Sequence, residues 1–207
     1  MFGSSILVAP KLTEPKGVYK KMNMQQVTYA LPSAATWYNY YSKQSVASTA
    51  DGEWQTATLS DLEQAVYIRG GTILPILEHD NCMALLPCMG NDIHLEVYPD
   101  QSDRAAGFLY RDDGSSFDYQ VNRDMHSTKN SFDYSAGRLD SDFVWGTDYI
   151  NVPNVSSVRF YGQAKAPSSV KNSNGDDLTH VYEATTKTLY VQLADKTPSY
   201  NVHVVIA

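Results

Sequence analysis

The stretch AVYIRGGTILPIL, Ala65 to Leu77, decides how this chain is read. It is almost wholly apolar and β-branched, as a buried strand requires, yet Arg69, Gly70 and Gly71 interrupt it at its centre. A plain buried strand needs neither a charge nor a backbone weakness there. The break must serve the architecture or carry chemistry.

Working outward, a period near two dominates. SILVAP is a short buried strand, and QQVTYALP alternates Val27, Tyr29 and Leu31 before Pro32 stops it. TWYNYYS is aromatic on both faces. DIHLEVYPD sets Ile93, Leu95 and Val97 against Asp92, His94 and Glu96. SFDYSAGRLDSDFVWG reads as a hairpin about Ala136-Gly137. The strands VSSVRFYG, LTHVYEA, TLYVQLA and YNVHVVIA complete the set. Helix signal is thin: Ser60 and Glu63 have capping-box spacing, but the chain runs at once into β-branched residues, leaving room for one turn. The pattern predicts an all-β fold of two consecutive, antiparallel, sandwich-like domains. The composition shifts over residues 78–91, which places the division at 1–84 and 85–207.

Composition narrows the function. A length of 207 residues with 43% hydrophobic and 19% charged residues fits a globular protein of one or two domains. A net charge of -7 without a basic run speaks against a nucleic-acid partner. No apolar stretch is long enough to form a membrane-spanning helix. MFGSSILVAPKL is too short and too weakly basic for a signal peptide, and a chain that opens directly in a strand is expected to be a piece of something longer. Cys82 and Cys88 fit a local disulfide or two free thiols. They lack neighbours at zinc-ligand spacing, and no cofactor is expected. Asn154-Val155-Ser156 is a glycosylation sequon, meaningful if the chain is secreted.

YRDDGSSFDY is the most tempting local motif, with Asp112, Asp113 and Asp118 around Gly114. It lacks the oxygen spacing of an EF-hand, and adjacent strand residues point to opposite faces, so Asp112 and Asp113 are not expected to converge. An Asp-Gly turn closing a hairpin explains it. The five histidines have no nucleophile context, and no G-x-S-x-G elbow is present. In TWYNYYS, Trp37 and Tyr41 would share a face able to stack a sugar, although aromatic strands of this kind more often form a two-sided core. The residues by themselves predict a β-sandwich protein without a self-sufficient active site.

Four motifs in order, MFGSSILVAP, YALPSAATWYNYYS, AVYIRGGTILPI and GFLYRDDGSSFDYQ, resemble the C-terminal end of glycoside hydrolase family 31, which contains the α-glucosidases. The resemblance is dense from Met1 to about Gln120 and thins to a strand pattern beyond. It implies that residues 1–84 form the barrel exit and proximal C-terminal β-domain, and 85–207 a distal β-sandwich. The chemistry of that family sits on an upstream (β/α)₈ barrel, where two aspartates about 5–5.5 Å apart cleave terminal α-linked glucose by double displacement. The nucleophile's context is absent from this chain, so no catalytic residue is carried over. The implied partners are that barrel and, through it, an oligosaccharide. The implied location is the secretory pathway, lysosome, endoplasmic reticulum or extracellular space. In this reading Arg69, Gly70 and Gly71 form a strand-turn-strand of the proximal domain. The glycines permit a tight reversal or a positive φ, and Arg69 pairs with a carboxylate or backbone carbonyls at the strand end. A non-catalytic carbohydrate-binding module, with an apolar patch at TWYNYYS or near Trp145, and a free-standing interaction protein are the competing readings.

Overall fold

The break at Gly70-Gly71 is the place where the chain changes sheets. In the computed structural model, which describes residues 1, 3–12, 25–32, 35–47, 53–60, 63–78 and 88–207, the chain divides into two compact units, Met1–Gly70 and Gly71–Ala207.

The first unit holds β1 (Ile6–Ala9), β2 (Gln25–Ala30), β3 (Thr36–Asn39), β4 (Ser45–Ala47), β5 (Trp54–Leu59) and β6 (Ala65–Arg69). Four of these make an antiparallel sheet in the order β1-β6-β3-β4, and β2 pairs with β5 in a separate ribbon. Alternation along each strand sends Val27, Tyr29, Leu59, Ala65 and Tyr67 into one core around Trp37, and Tyr29 stacks on Tyr67 with ring centroids 4.6 Å apart. Glu63 satisfies the start of the turn before β6, its carboxylate accepting from the Ser60 backbone N–H and hydroxyl.

The second unit holds β7 (Thr72–Leu77), β8 (Ile93–Tyr98), β9 (Arg104–Asp112), β10 (Ser127–Ser135), β11 (Arg138–Trp145), β12 (Asn154–Phe160), β13 (Val170–Lys171), β14 (His180–Glu183), β15 (Thr188–Pro198) and β16 (His203–Ile206). A 3-10 turn (Asp118–Gln120) and the single helical turn α1 (Arg123–His126) lie between β9 and β10. All ten strands form one sheet in the order β13-β16-β11-β10-β9-β7-β8-β12-β15-β14. That sheet curls into two facing layers. Tyr134 on β10 and Phe160 on β12 stand four strand spacings apart, roughly 19 Å in a flat sheet, yet their ring centroids are 5.4 Å apart. Ile73, Leu95, Phe132, Leu139, Val158, Val170, Leu189 and Val204 fill the space between the layers as one cluster.

The all-β, sandwich-like expectation therefore describes this chain, with two refinements. Pairing is antiparallel except between β8 and β12, which run parallel, and at a brief β7–β9 contact. The parallel pair arises because β9, β10 and β11 intervene before the chain returns beside β8. The compact units also part at Gly70 and Gly71, ahead of the polar segment used to divide 1–84 from 85–207. The cause is pairing: β7 lies against β8 along its whole length, Thr72 opposite Tyr98 through Leu77 opposite Ile93.

Of the two alternatives for the glycines of this strand-turn-strand, a tight reversal or a positive φ, the second is found, since β6 and β7 belong to different sheets and do not pair with each other. Gly71 does adopt a positive φ of 88°, and its N–H donates to the Tyr98 carbonyl while that of Gly70 donates to Thr36. Gly107 matters for space instead, because a Cβ there would stand 2.2 Å from the Ile73 carbonyl oxygen. The hairpin at Ala136-Gly137 is a two-residue turn with Ser135 opposite Arg138 and φ values of 49° and 83°, the type I′ geometry.

Two substitutions should move stability in opposite directions. Gly107→Ala should destabilise the second unit by about 1–3 kcal/mol, since β9 must retreat from Ile73. Ala136→Asn, which relieves an alanine in the left-handed region, should stabilise it by about 0.5–1 kcal/mol. Thermal and denaturant melts of the two variants check both signs.

Candidate functional site

Asp112 ends β9, and the tight Asp-Gly hairpin expected after it does not form. Residues 113–126 intervene before β10, and the two carboxylates organise that loop. Asp112 Oδ1 accepts the Gly114 N–H (2.9 Å) and Oδ2 the Tyr110 hydroxyl (2.9 Å). Asp113 Oδ1 accepts the N–H groups of Ser115 (3.0 Å) and Ser116 (2.9 Å). These are Asx turns, in which a short polar side chain substitutes for a backbone carbonyl. The two backbone donors on Asp113 hold its carboxyl down to about 2.

Alternation along a strand does not separate the pair either, because Asp113 lies beyond the last residue of β9. Both carboxylates line one cavity of about 440 Å³, together with Arg111, Tyr149, Asn151 and Asn154. Arg111 is half-buried and donates through Nη1 to the Met89 carbonyl. Burial draws its guanidinium pKa down and pushes that of the Tyr149 phenol up. Among the described residues no carboxylate lies within 4.0 Å ion-pair reach of Arg111. Asn154, the sequon asparagine, is half-buried at the first residue of β12, with Nδ2 3.5 Å from Asp92 Oδ1.

The sugar-stacking pair comes apart. Trp37 is 0% exposed, its indole N–H donating to the Pro32 carbonyl (3.1 Å), so its ring has no free face. Packing of the two sheets of the first unit claims it before any ligand can. Tyr41 is exposed, edge-on to Tyr40 at 5.3 Å, and Lys43 sits 4.3 Å over the Tyr40 ring. Near Trp145 the ring faces are already engaged: Arg123 and Lys129 stand 4.6 and 5.0 Å from its centroid, and Lys129 also covers Phe108 at 4.4 Å. Arg69 is exposed at the end of β6, and among the described residues its side chain makes no ion pair. Cys88 is disulfide-bonded, and Cys82 lies outside the described residues.

Sequence alternation missed Glu96. It stands on the polar side of DIHLEVYPD, yet it is 3% exposed. The Tyr98 and Tyr161 hydroxyls donate to its carboxylate at 2.6 and 2.7 Å, with Arg159 Nη1 at 3.7 Å and His94 Nε2 at 4.0 Å. Burial and the adjacent carboxylate push the Tyr161 phenol strongly upward, which makes it a fixed donor and unfit as a proton shuttle. The signal available was Tyr98, an aromatic two residues along on the same face. Among the described residues no three His, Cys, Asp or Glu side chains converge as a metal site, and no helix is long and apolar enough to cross a membrane.

The Asp113 turn has a defined pH signature. Its folded pKa lies below the ordinary aspartate value of about 3.9, so its contribution is present above that value and lost as pH falls through about 2. Carboxyl-carbon NMR should show Asp113 titrating well below the ordinary aspartate value, with the Ser115 and Ser116 amides shifting in the same window. A midpoint near 3.9 would show that the turn does not hold the carboxylate.

Comparison with known proteins places these features. Residues 1–74 match the sequence model of the glycosyl hydrolase family 31 C-terminal domain. The chain is 29% identical over 183 residues to an alpha-glucosidase of Schizosaccharomyces pombe, covering 86% of this chain and 17% of that protein. A crystal structure of the glucosidase II alpha subunit shares the fold over 92% of this chain and 22% of its own, with 20% identity and a TM-score of 0.65. A Flavobacterium johnsoniae GH31 dextranase does so over 99% and 26%, with 17% identity and a TM-score of 0.65. The chain spans under one-fifth of the length of the alpha-glucosidase it matches. Residues 1–74 thus match the glycosyl hydrolase family 31 C-terminal domain, and the fold of nearly the whole chain recurs in both of these solved structures.

Proposed function

We propose that this chain is the C-terminal β-region of a retaining α-glucosidase-type glycoside hydrolase and that it supports a catalytic (β/α)₈ barrel carried by other residues of the parent enzyme. The parent cleaves terminal α-linked glucose from an oligosaccharide by double displacement, without metal or organic cofactor. It works in the secretory pathway, the lysosome, the endoplasmic reticulum or outside the cell.

The observation that carries this reading lies inside the family domain. β1 is an edge of its sheet among the described residues, and Ile6, Leu7, Val8 and Ala9 along it are all half-buried. A short apolar edge strand without a charge or proline to blunt it invites cover by another element. The carboxylates support the same view. A retaining enzyme needs a nucleophile and a proton donor about 5–5.5 Å apart, and the donor's pKa must be raised toward neutrality. Asp113 is moved the other way, and Asp112 is committed to Gly114 and Tyr110. The likeness to both a glucosidase and a dextranase leaves the linkage to residues of the barrel.

Intact mass and peptide mapping of the natural protein test the proposal. A polypeptide that extends upstream of Met1, or a tightly associated partner bearing the barrel, is the expected result. A natural species of these 207 residues alone, with no such partner and no effect on any α-glucosidase activity, overturns it.

A further inference from the structure

We propose that the cavity at the end of β9 binds a neutral sugar residue, with Arg111 as hydrogen-bond donor and Asp113 as acceptor. This goes beyond the scaffold role and does not depend on it, since binding by the chain can be measured whether or not a barrel accompanies it.

The cavity, about 440 Å³, falls in the range of about 300–1,000 Å³ usual for small-molecule sites. Its polar groups have capacity left over. A guanidinium carries five N–H donors, and among the described residues that of Arg111 has one acceptor, the Met89 carbonyl. Asp113 accepts two backbone donors on Oδ1 and a side-chain hydrogen bond from Ser116, and the roughly four lone-pair sites of a carboxylate leave it further acceptor capacity. A donor and an acceptor with capacity left, lining one cavity, suit vicinal hydroxyls, each of which both donates and accepts. The charge balance selects against anions, because one arginine faces Asp112 and Asp113 together. The walls also have an apolar part: Ile150 is 90% exposed there, beside Val152 and Pro153, and can meet the C–H face of a pyranose.

The test is a chemical-shift titration of the full 207-residue chain with glucose, maltose and glucose 6-phosphate. Saturable shifts are expected with glucose or maltose at amides of residues 111–113 and 149–154. Arg111→Met should weaken binding at least about tenfold, the scale of a hydrogen bond to a charged group. Asp113→Asn keeps an Oδ1 acceptor for the turn and replaces the other carboxylate oxygen with a donor, so it should weaken binding similarly, and a melt of the same variant separates a loss of affinity from a loss of fold. Ile150→Ala, at an exposed position, should weaken it without touching the fold. Absence of saturation with either neutral sugar overturns the proposal. So does binding unchanged in all three variants, or glucose 6-phosphate binding more tightly than glucose.

Discussion

The second unit depends on the curl that brings Tyr134 and Phe160 into contact at 5.4 Å from strands that are not neighbours. A ten-stranded sheet left flat would bury one face at most and expose long edges. Curling lets residues of β7, β8, β10, β11, β12, β15 and β16 share one cluster, in which Leu95, Phe132, Val158 and Phe160 are wholly enclosed. Each such side chain contributes about 1.5–3 kcal/mol of transfer free energy. The contacts are far apart in sequence, so this stabilisation arrives only when the whole sheet has formed. Gly107 is part of the same constraint, because β9 can follow the curve only by passing close over the Ile73 carbonyl.

Glu96 shows how the register of that sheet is held. β8 and β12 pair in parallel with Glu96 opposite Arg159 and Leu95 opposite Val158. A slip of one residue would turn the Glu96 carboxylate into the apolar cluster and expel Leu95. In the observed register the carboxylate meets two phenol donors, which offsets much of the cost of removing it from water. A buried carboxylate of this kind adds little net stability over an apolar substitute, but it penalises the alternatives. Its place among Tyr98, Tyr161 and Arg159 is structural for that reason, and the upward shift of the Tyr161 phenol follows from the packing.

These two constraints also explain how much of the fold is legible in the chain. Strands such as DIHLEVYPD and SFDYSAGRLDSDFVWG announce themselves because alternation and turn residues are local, and the Ala136-Gly137 turn lies where they put it. Glu96 escapes because its partners include Tyr161 and Arg159, which reach it only through the parallel pairing of β12. Trp37 reads as a platform because a strand pattern gives faces but not which face the second layer covers. At Gly70-Gly71 the local signal of a backbone break is sound, while the identity of the sheet on either side requires long-range pairing. The Asp112-Asp113 pair fails for a smaller reason: β9 stops one residue sooner than strict alternation through Asp113 requires.

The cavity at the end of β9 belongs to the same class of non-local features. Arg111 comes from β9, Tyr149 and Asn151 from the segment after β11, and Asn154 from the start of β12. None of these pieces signals a site alone, and the sandwich assembles them where its strands end, which is where irregular backbone is free to present side chains. A domain that served packing alone would gain from an apolar residue at 111, since a half-buried guanidinium with one carbonyl acceptor is costly to desolvate. The cost is tolerable only where the remaining donors keep access to water or to something that replaces it. An opening lined by the Asp113 carboxylate and by the exposed Ile150 offers that replacement in polar and apolar form at once.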